Sequence, residues 1–564
     1  MPRLFCEHIK RSTATLDGGW KYKVDAEDKG EALGWSAALT DAKRCSVPSV
    51  WNCEKDLLEY EGAVFYEKSF YFEGGTLRLF FEAVMTEATV WLDGEKLGYH
   101  YGGFSSFDFI VPEVSAGFHT LIVKADNRFD DNSIPQVKVD WYHYGGIIRS
   151  VHAERLSALS VLASKFDYTL TEDMKNATAT LTLDVYNAGD KAEEEVCVSV
   201  CGFDGKFKIT LAPGERKWVT LPSFEISDIE LWDTENPKLY ELKITTEGDD
   251  LYDRVGFRKV EAHDNKIFLN GKEIEIKGVN RHEDHPDFGF AFPGSRMQHD
   301  IDLICDLGCN SIRGSHYPNS KLFLDYLDEE GILFWSEIPI WGCGFSEEAL
   351  ANKTVVERGL NMHREMTEQY FNHPSIIFWG MHNEIPENTP QGEEMTKIYH
   401  AFLKENGGNR LVVHASHKPL TDVSLKYSDV LCLNIYYGWY SGGLEMWEKF
   451  MVMFREHAEK LGIADRPVIY SEFGGAALYG FHDAEEPKWS EEYQATLITH
   501  ALSVFDKTPE VAGSFIWQFT DIRTAAEMGF TRARGFNNKG LMNEYRRPKM
   551  SYHAVKAFYK NREK

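Results

Sequence analysis

The sequence predicts three successive folds: a β jelly-roll sandwich over residues 1–157, an immunoglobulin-like β-sandwich over 158–260 and a (β/α)8 TIM barrel over 261–564. Three observations predict this. The 564 residues are too many for a single core. Up to about residue 260 the chain shows short alternating runs and turn signals without helical periodicity. Beyond Asn270-Gly271, apolar runs of strand length alternate with amphipathic helical stretches.

In the first region the runs 65–72 and 76–84 alternate, and Asp93-Gly94 between 89–92 and Lys96-Leu97 is a type I′ hairpin signal. The second region repeats the style more compactly, with runs at 177–185 and 195–200, a turn expected at Asp204-Gly205, and no need for a Cys–Trp–Cys framework. Asn270-Gly271 then closes a further hairpin. Eight apolar runs follow, at 274–279, 309–313, 332–336, 376–381, 411–414, 430–435, 468–471 and 511–519. Helical stretches such as 299–307, 320–330, 355–370, 394–404 and 491–505 separate them, and eight strand–helix units specify a closed barrel.

Chemistry in such a barrel sits at the carboxyl ends of the strands. There the sequence places residues 280–285, Arg313, His316, Glu337, Asn383, Glu384, His414, Asn434, Tyr436, Glu472 and the segment 517–521. Glu384 and Glu472 each close an apolar run, where an ionisable group is costly unless chemistry needs it. Two such carboxyls suit acid-assisted cleavage of a glycosidic bond: one holds a proton for the leaving oxygen, the other stays ionised at the anomeric carbon. Asn383 can orient the acid and hold a sugar hydroxyl, and the Tyr436 hydroxyl can keep Glu472 ionised. A salt bridge to Arg281 or Arg313 is the competing structural role for either glutamate.

Other chemistries fit less well. His282, Glu283, Asp284 and His285 lack HExxH spacing and read as a hydrogen-bonded loop rather than a metal site. No GxSxG elbow stands between a strand and a helix, and no Gly-rich dinucleotide fingerprint follows a strand. Neither a cofactor nor a metal is implied. Asn537-Asn538-Lys539, preceded by Arg532 and Arg534, reads either as a solvated basic loop or as a clamp for a substrate carboxylate.

Composition bounds the partners. A net charge of -27 argues against nucleic acid and anionic membranes, so an acidic substrate would need a local basic pocket. The 14 Trp and 26 Tyr offer faces for sugar rings, although most aromatic residues are core. Nine scattered cysteines without metal-finger spacing suggest reduced thiols. Residues 1–17 show no apolar signal segment and no run approaches a membrane span, so a soluble, cytoplasmic protein is expected.

NSIRGSHYP at 310–318, NHPS at 372–375 leading to Asn383-Glu384, and YSEFG at 470–474 resemble glycoside hydrolase family 2. VGFR at 255–258 and Leu231-Trp232 with PKLY at 237–240 resemble that family's second domain, so the resemblance covers essentially the whole chain. Within the family, VLCLNIYYGWY at 430–440 and Asn537-x-Lys539 look like the bacterial β-glucuronidases. The resemblance implies a retaining mechanism with Glu384 as acid/base and Glu472 as nucleophile, and a C6 carboxylate bound by Asn537 and Lys539. It also implies a sugar pocket lined by Asp140, His316, Asn383, Tyr436, Tyr440 and Trp517, to which Asn434 at the end of the sixth strand adds a substrate-binding candidate, and it makes a homotetramer plausible. There are departures: a short stretch after Trp341, Ile435 where a more polar residue is expected, and an arginine displaced by one position around Ala533.

The expected activity is that of a retaining exo-β-glucuronidase acting on small or oligosaccharide glucuronides. β-Galacturonidase or β-galactosidase activity on the same scaffold, and a non-catalytic sugar-binding protein, are the alternatives.

Overall fold

The computed structural model describes residues 3–191, 193–342, 345–528 and 532–562. Near the N-terminus, a four-stranded and a six-stranded antiparallel sheet enclose one core that includes Trp20, Val64, Leu79, Val90 and Leu121. The expected hairpin joins strands Glu87–Leu92 and Glu95–Tyr101, with Leu92 opposite Glu95 and both Asp93 and Gly94 at positive φ. That pair of left-handed residues is what a type I′ turn requires.

A second sandwich of two four-stranded sheets closes over Val161, Leu183, Val198 and Leu242. Its hairpin differs from the sequence expectation. Strands Glu193–Val200 and Phe203–Thr210 turn at Cys201-Gly202, both at positive φ, and Asp204-Gly205 lies inside the second strand. Asn270-Gly271 does turn a hairpin, between Lys266–Leu269 and Lys272–Ile274.

The C-terminal part is a closed, all-parallel eight-stranded barrel. Its strands are β1 (Ile276–Arg281), β2 (Ser311–Gly314), β3 (Leu333–Glu337), β4 (Ile376–Asn383), β5 (Leu411–Ser416), β6 (Leu431–Asn434), β7 (Val468–Phe473) and β8 (Val511–Ile516). Several strands run about two residues past their apolar runs, so Asn383 and Glu472 are themselves strand residues. Trp335, Phe378, Val413, Cys432, Ile469 and Phe515 fill one buried cluster, while Ile304, Leu327, Met366, Tyr399 and Phe454 seal helices onto the outside. One unit departs from the expected pattern. Between β5 and β6 the described chain forms only a 3-10 turn, Ser424–Tyr427, because the connection is short and interrupted by Pro419.

Among the described residues no helix is long and apolar enough to cross a membrane. The eight described cysteines are free thiols; Cys343, on the short stretch after Trp341, lies outside the described residues.

Candidate active site

The mouth of the barrel brings the two glutamates into one cavity of about 500 Å³. Every residue of β4 is buried, and Glu384 follows it with φ at 53°. A glutamate in the left-handed region is uncommon and persists only where its surroundings over-determine it. Here its N–H donates to the Ala415 carbonyl on β5 at 2.9 Å, where the β4–β5 register slips between Gly380 and Asn383. Glu472 lies within β7, opposite Asn434 of β6.

One hydrogen-bonded network joins the pair. Asn434 Nδ2 donates to Glu384 Oε1 at 2.7 Å and to Asn383 Oδ1 at 3.2 Å. Asn383 Oδ1 also accepts from Arg313 Nη2 at 2.7 Å, and Arg313 Nη1 donates to Glu472 Oε1 at 2.8 Å. The other Glu472 oxygen accepts from the Tyr436 hydroxyl at 2.7 Å. Arg313 is itself clamped by two bonds to Glu337, at 2.9 and 3.0 Å. The salt bridge weighed as a purely structural role for a glutamate therefore exists, between Glu472 and Arg313, but it faces the cavity. Arg281 instead pairs with Asp300.

These surroundings separate the two carboxyls. Burial, reinforced by the Glu472 charge, pushes Glu384 up from 4.5 to about 7. Burial also raises Glu472, but Arg313 and the Tyr436 hydroxyl act against that rise. Glu384 is thus the group that keeps a proton near neutrality.

His316 packs against this network. Its ring stacks on Trp517 with centroids 5.1 Å apart, its Nδ1 lies 2.7 Å from Glu337, and its Nε2 lies 4.0 Å from Glu472. Burial drives its pKa well below the ordinary value, so the ring is neutral. A neutral ring donating Nδ1–H to Glu337 leaves Nε2 as an acceptor on the Glu472 side. Asn383 Nδ2 is a buried donor without a partner among the described residues.

A basic wall forms from three separate segments. Lys539 Nζ lies 3.5 Å from Asn537 Oδ1 and 5.0 Å above the Tyr440 ring. Asn537 Nδ2 donates to Asp140 Oδ2 at 3.4 Å. Asp140 reaches the barrel from the first domain, and Arg532 grips it with two hydrogen bonds, the longer at 2.9 Å. Arg534 points elsewhere, onto Glu544 at 2.9 Å and Asn538 at 3.1 Å. Arg532 is therefore the arginine that holds the cavity-lining residues Asp140 and Tyr440 from behind.

Asp140, Asn434, Tyr436, Tyr440, Trp517 and Lys539 line the cavity together with both glutamates. His316, Asn383 and Asn537 stand immediately behind that lining. His414 lies deeper, bonded to Asp422 at 2.9 Å and Ser428 at 2.8 Å. The polar loop after β1 ties domains together: Glu283 pairs with Arg149 at 3.0 Å, and Asp284 accepts from the Tyr144 hydroxyl at 2.8 Å. Among the described residues, acidic and histidine groups that could hold a metal ion occur at His8, Asp249 and Asp250 and at Asp325, Asp328 and His373, and neither group includes a residue of that loop. Their carboxylates are already bonded, Asp249 to Arg11, Asp250 to two backbone N–H groups and Asp325 to Arg3.

Sequence reasoning did not single out Arg313 as the centre of the network, nor the cavity wall at 417–421, between β5 and β6. The nearest signal was indirect: Gly380 inside a strand of bulky residues marks a close approach, and a Cβ there would meet Trp335 at 2.4 Å and Glu337 at 2.6 Å, which points to the partner of Arg313 rather than to Arg313 itself.

The description "Glycosyl hydrolases family 2, TIM barrel domain" matches residues 260–563, "Glycosyl hydrolases family 2" matches 164–258 and "Glycosyl hydrolases family 2, sugar binding domain" matches 13–156. The chain belongs to glycosyl hydrolase family 2. This family 2 glycoside hydrolase is 28% identical over 594 residues to a beta-glucuronidase of Paenibacillus borealis, covering 96% of each chain. A relative from Formosa agariphila is also 28% identical, over 532 residues, and the chain spans 61% of its length. Among solved structures, a GH2 beta-galacturonidase from Eisenbergiella tayi bound to galacturonate is 34% identical with a TM-score of 0.92, over 100% of this chain and 99% of that one.

Proposed function

We propose that the chain is an exo-acting, retaining β-glucuronidase. The observation that carries this reading is one cavity lined by two carboxyls, Glu384 pushed up to about 7 and Glu472 bonded to Arg313 and the Tyr436 hydroxyl, and by Lys539 beside Asn537. Glu384, protonated near pH 7, gives its proton to the glycosidic oxygen as Glu472 attacks the anomeric carbon and forms a glycosyl ester. Glu384, now a carboxylate, then takes a proton from water, whose oxygen breaks the ester and releases the uronic acid with its configuration retained. Arg313 and Tyr436 hold Glu472 ionised and aimed. Asn434 fixes the Glu384 carboxyl. Lys539 and Asn537 take the C6 carboxylate, and the other lining residues hold the ring hydroxyls. The glucuronidase relatives support this substrate.

Glu472→Gln should lower turnover by several orders of magnitude with the unfolding midpoint preserved. Near-normal turnover in that variant would sink the assignment.

The Eisenbergiella neighbour supports a second reading, β-galacturonidase. A C6 carboxylate is common to both sugars, so Lys539 serves either. The difference lies in the configuration at C4, and among the lining groups Asp140, held by Arg532, is an acceptor for a sugar hydroxyl. Rates on β-glucuronide, β-galacturonide and β-galactoside sharing one leaving group decide between the readings. The proposal predicts the glucuronide to be fastest; a faster galacturonide replaces it with the second reading.

A further inference from the structure

Beside the groups assigned above, the catalytic cavity has a wall built from the segment that leaves β5: His417, Lys418, Pro419, Leu420 and Thr421. An exo-acting site encloses the terminal sugar, and the cavity of about 500 Å³ is larger than one pyranose ring. The remainder is room for the leaving group. The proton donor must touch the glycosidic oxygen, so the junction between sugar and leaving group lies at Glu384. The Glu384 N–H is bonded to Ala415, two residues before His417. The wall at 417–421 therefore stands beside the leaving group.

Its charge is distinctive. Lys418 Nζ has a contact with the Asn388 side-chain oxygen at 3.4 Å, and among the described residues no carboxylate lies within ion-pair reach of it. Lys539 is the other lysine lining the cavity, and it is similarly without a carboxylate partner among the described residues. In a chain of net charge -27, two lysines without carboxylate partners in one cavity are suited to two anionic groups. Lys539 accounts for the carboxylate of the terminal sugar. Leu420 and Pro419 add apolar surface beside Lys418, and His417 is held on its Nδ1 side by buried Glu387 at 3.2 Å.

We propose that the loop 417–421 is a leaving-group subsite for an anionic saccharide, with Lys418 as the residue that selects the negative charge. This rests on the uronidase reading of the same cavity. The natural substrate is then a uronosyl oligosaccharide whose second sugar carries a carboxylate or a sulfate.

The test compares kcat/KM on three disaccharides with the same terminal uronic acid, linked to a neutral sugar, a uronic acid or a sulfated sugar. A 4-nitrophenyl uronide serves as the reference. The wild-type enzyme should prefer an acidic second sugar over the neutral one. Lys418→Ala should cut that preference by about fivefold to tenfold, and Lys418→Glu should cut it further. A preference confined to the uronic acid or to the sulfated sugar identifies which anion is read. A wild-type ratio near one, or a ratio unmoved in both variants, overturns the proposal. Inactivity on the 4-nitrophenyl uronide would instead refute the uronidase reading itself.

Discussion

Glu384 and Glu472 share a cavity, yet their neighbours divide the labour between them. Glu472 accepts from a guanidinium and a phenol, whereas Glu384 accepts from the neutral amide of Asn434. The carboxyl with the weaker support carries the proton, at about 7. The loss of kcat/KM on the basic side should therefore centre near pH 7, and Glu384→Gln should remove that limb. The same variant should be most damaged on sugar leaving groups and least on 2,4-dinitrophenyl glycosides, which depart without a proton. A stability consequence follows from linkage. The folded value lies above the ordinary value of 4.5, so as pH rises the unfolded chain ionises first. The stability tied to protonated Glu384 is full below about pH 4.5 and is lost as pH rises through about 7. Glu384→Gln should accordingly be more stable than wild type at pH 8 by about 2–3 kcal/mol, with a much smaller gain at pH 5.5. Denaturant unfolding at the two pH values checks this, and an equal gain at both would contradict the assigned protonation.

At the scale of elements, the site depends on how closely β3 and β4 approach. Gly380 of β4 lets Trp335 and Glu337 lie against its backbone, and Glu337 in turn clamps Arg313. Gly380→Ala should force both side chains aside, cost about 1–3 kcal/mol and lower turnover as Arg313 shifts from Glu472. Thermal unfolding and kcat measured together distinguish this from simple loss of packing, which would leave turnover per folded molecule unchanged. The barrel itself was legible in the alternation of apolar runs and helical stretches, and Glu384 and Glu472 stood out as costly charges closing such runs. Arg313 was not legible as a hub. A period-2 pattern does not say which face of a four-residue strand turns inward until the register with its neighbours is known. Asp204-Gly205 misled for a related reason: the neighbouring Cys201-Gly202 takes the left-handed conformations of the turn, a choice made by strand pairing rather than by local preference. The missing helix between β5 and β6 left the 417–421 wall without a sequence signature.

At the scale of the molecule, the first domain is part of the cavity rather than an appendage. Asp140 crosses to Arg532 and Asn537, Phe104 stacks on Tyr317 with centroids 4.0 Å apart, and Trp141 packs 5.2 Å from His316. Arg149 anchors this junction. It donates to the carbonyls of Phe104 and Pro318 at 2.8 Å each and to Glu283 at 3.0 Å. Glu283 is buried, and among the described residues its carboxylate's other polar contacts are the Ser320 N–H at 3.1 Å and Arg281 at 4.0 Å. Arg149→Ala would leave that carboxylate largely uncompensated, at a cost of about 3 kcal/mol. Because Glu283 follows β1 and the Arg149 bonds hold Phe104 and Pro318 together, the domain carrying Asp140 should loosen against the barrel mouth. The expected result is a lower unfolding midpoint together with a KM raised severalfold on a 4-nitrophenyl uronide and a smaller change in kcat, since Glu384 and Glu472 keep their own partners. A fall in stability with KM untouched would mean that the first domain supports the barrel without shaping the sugar pocket.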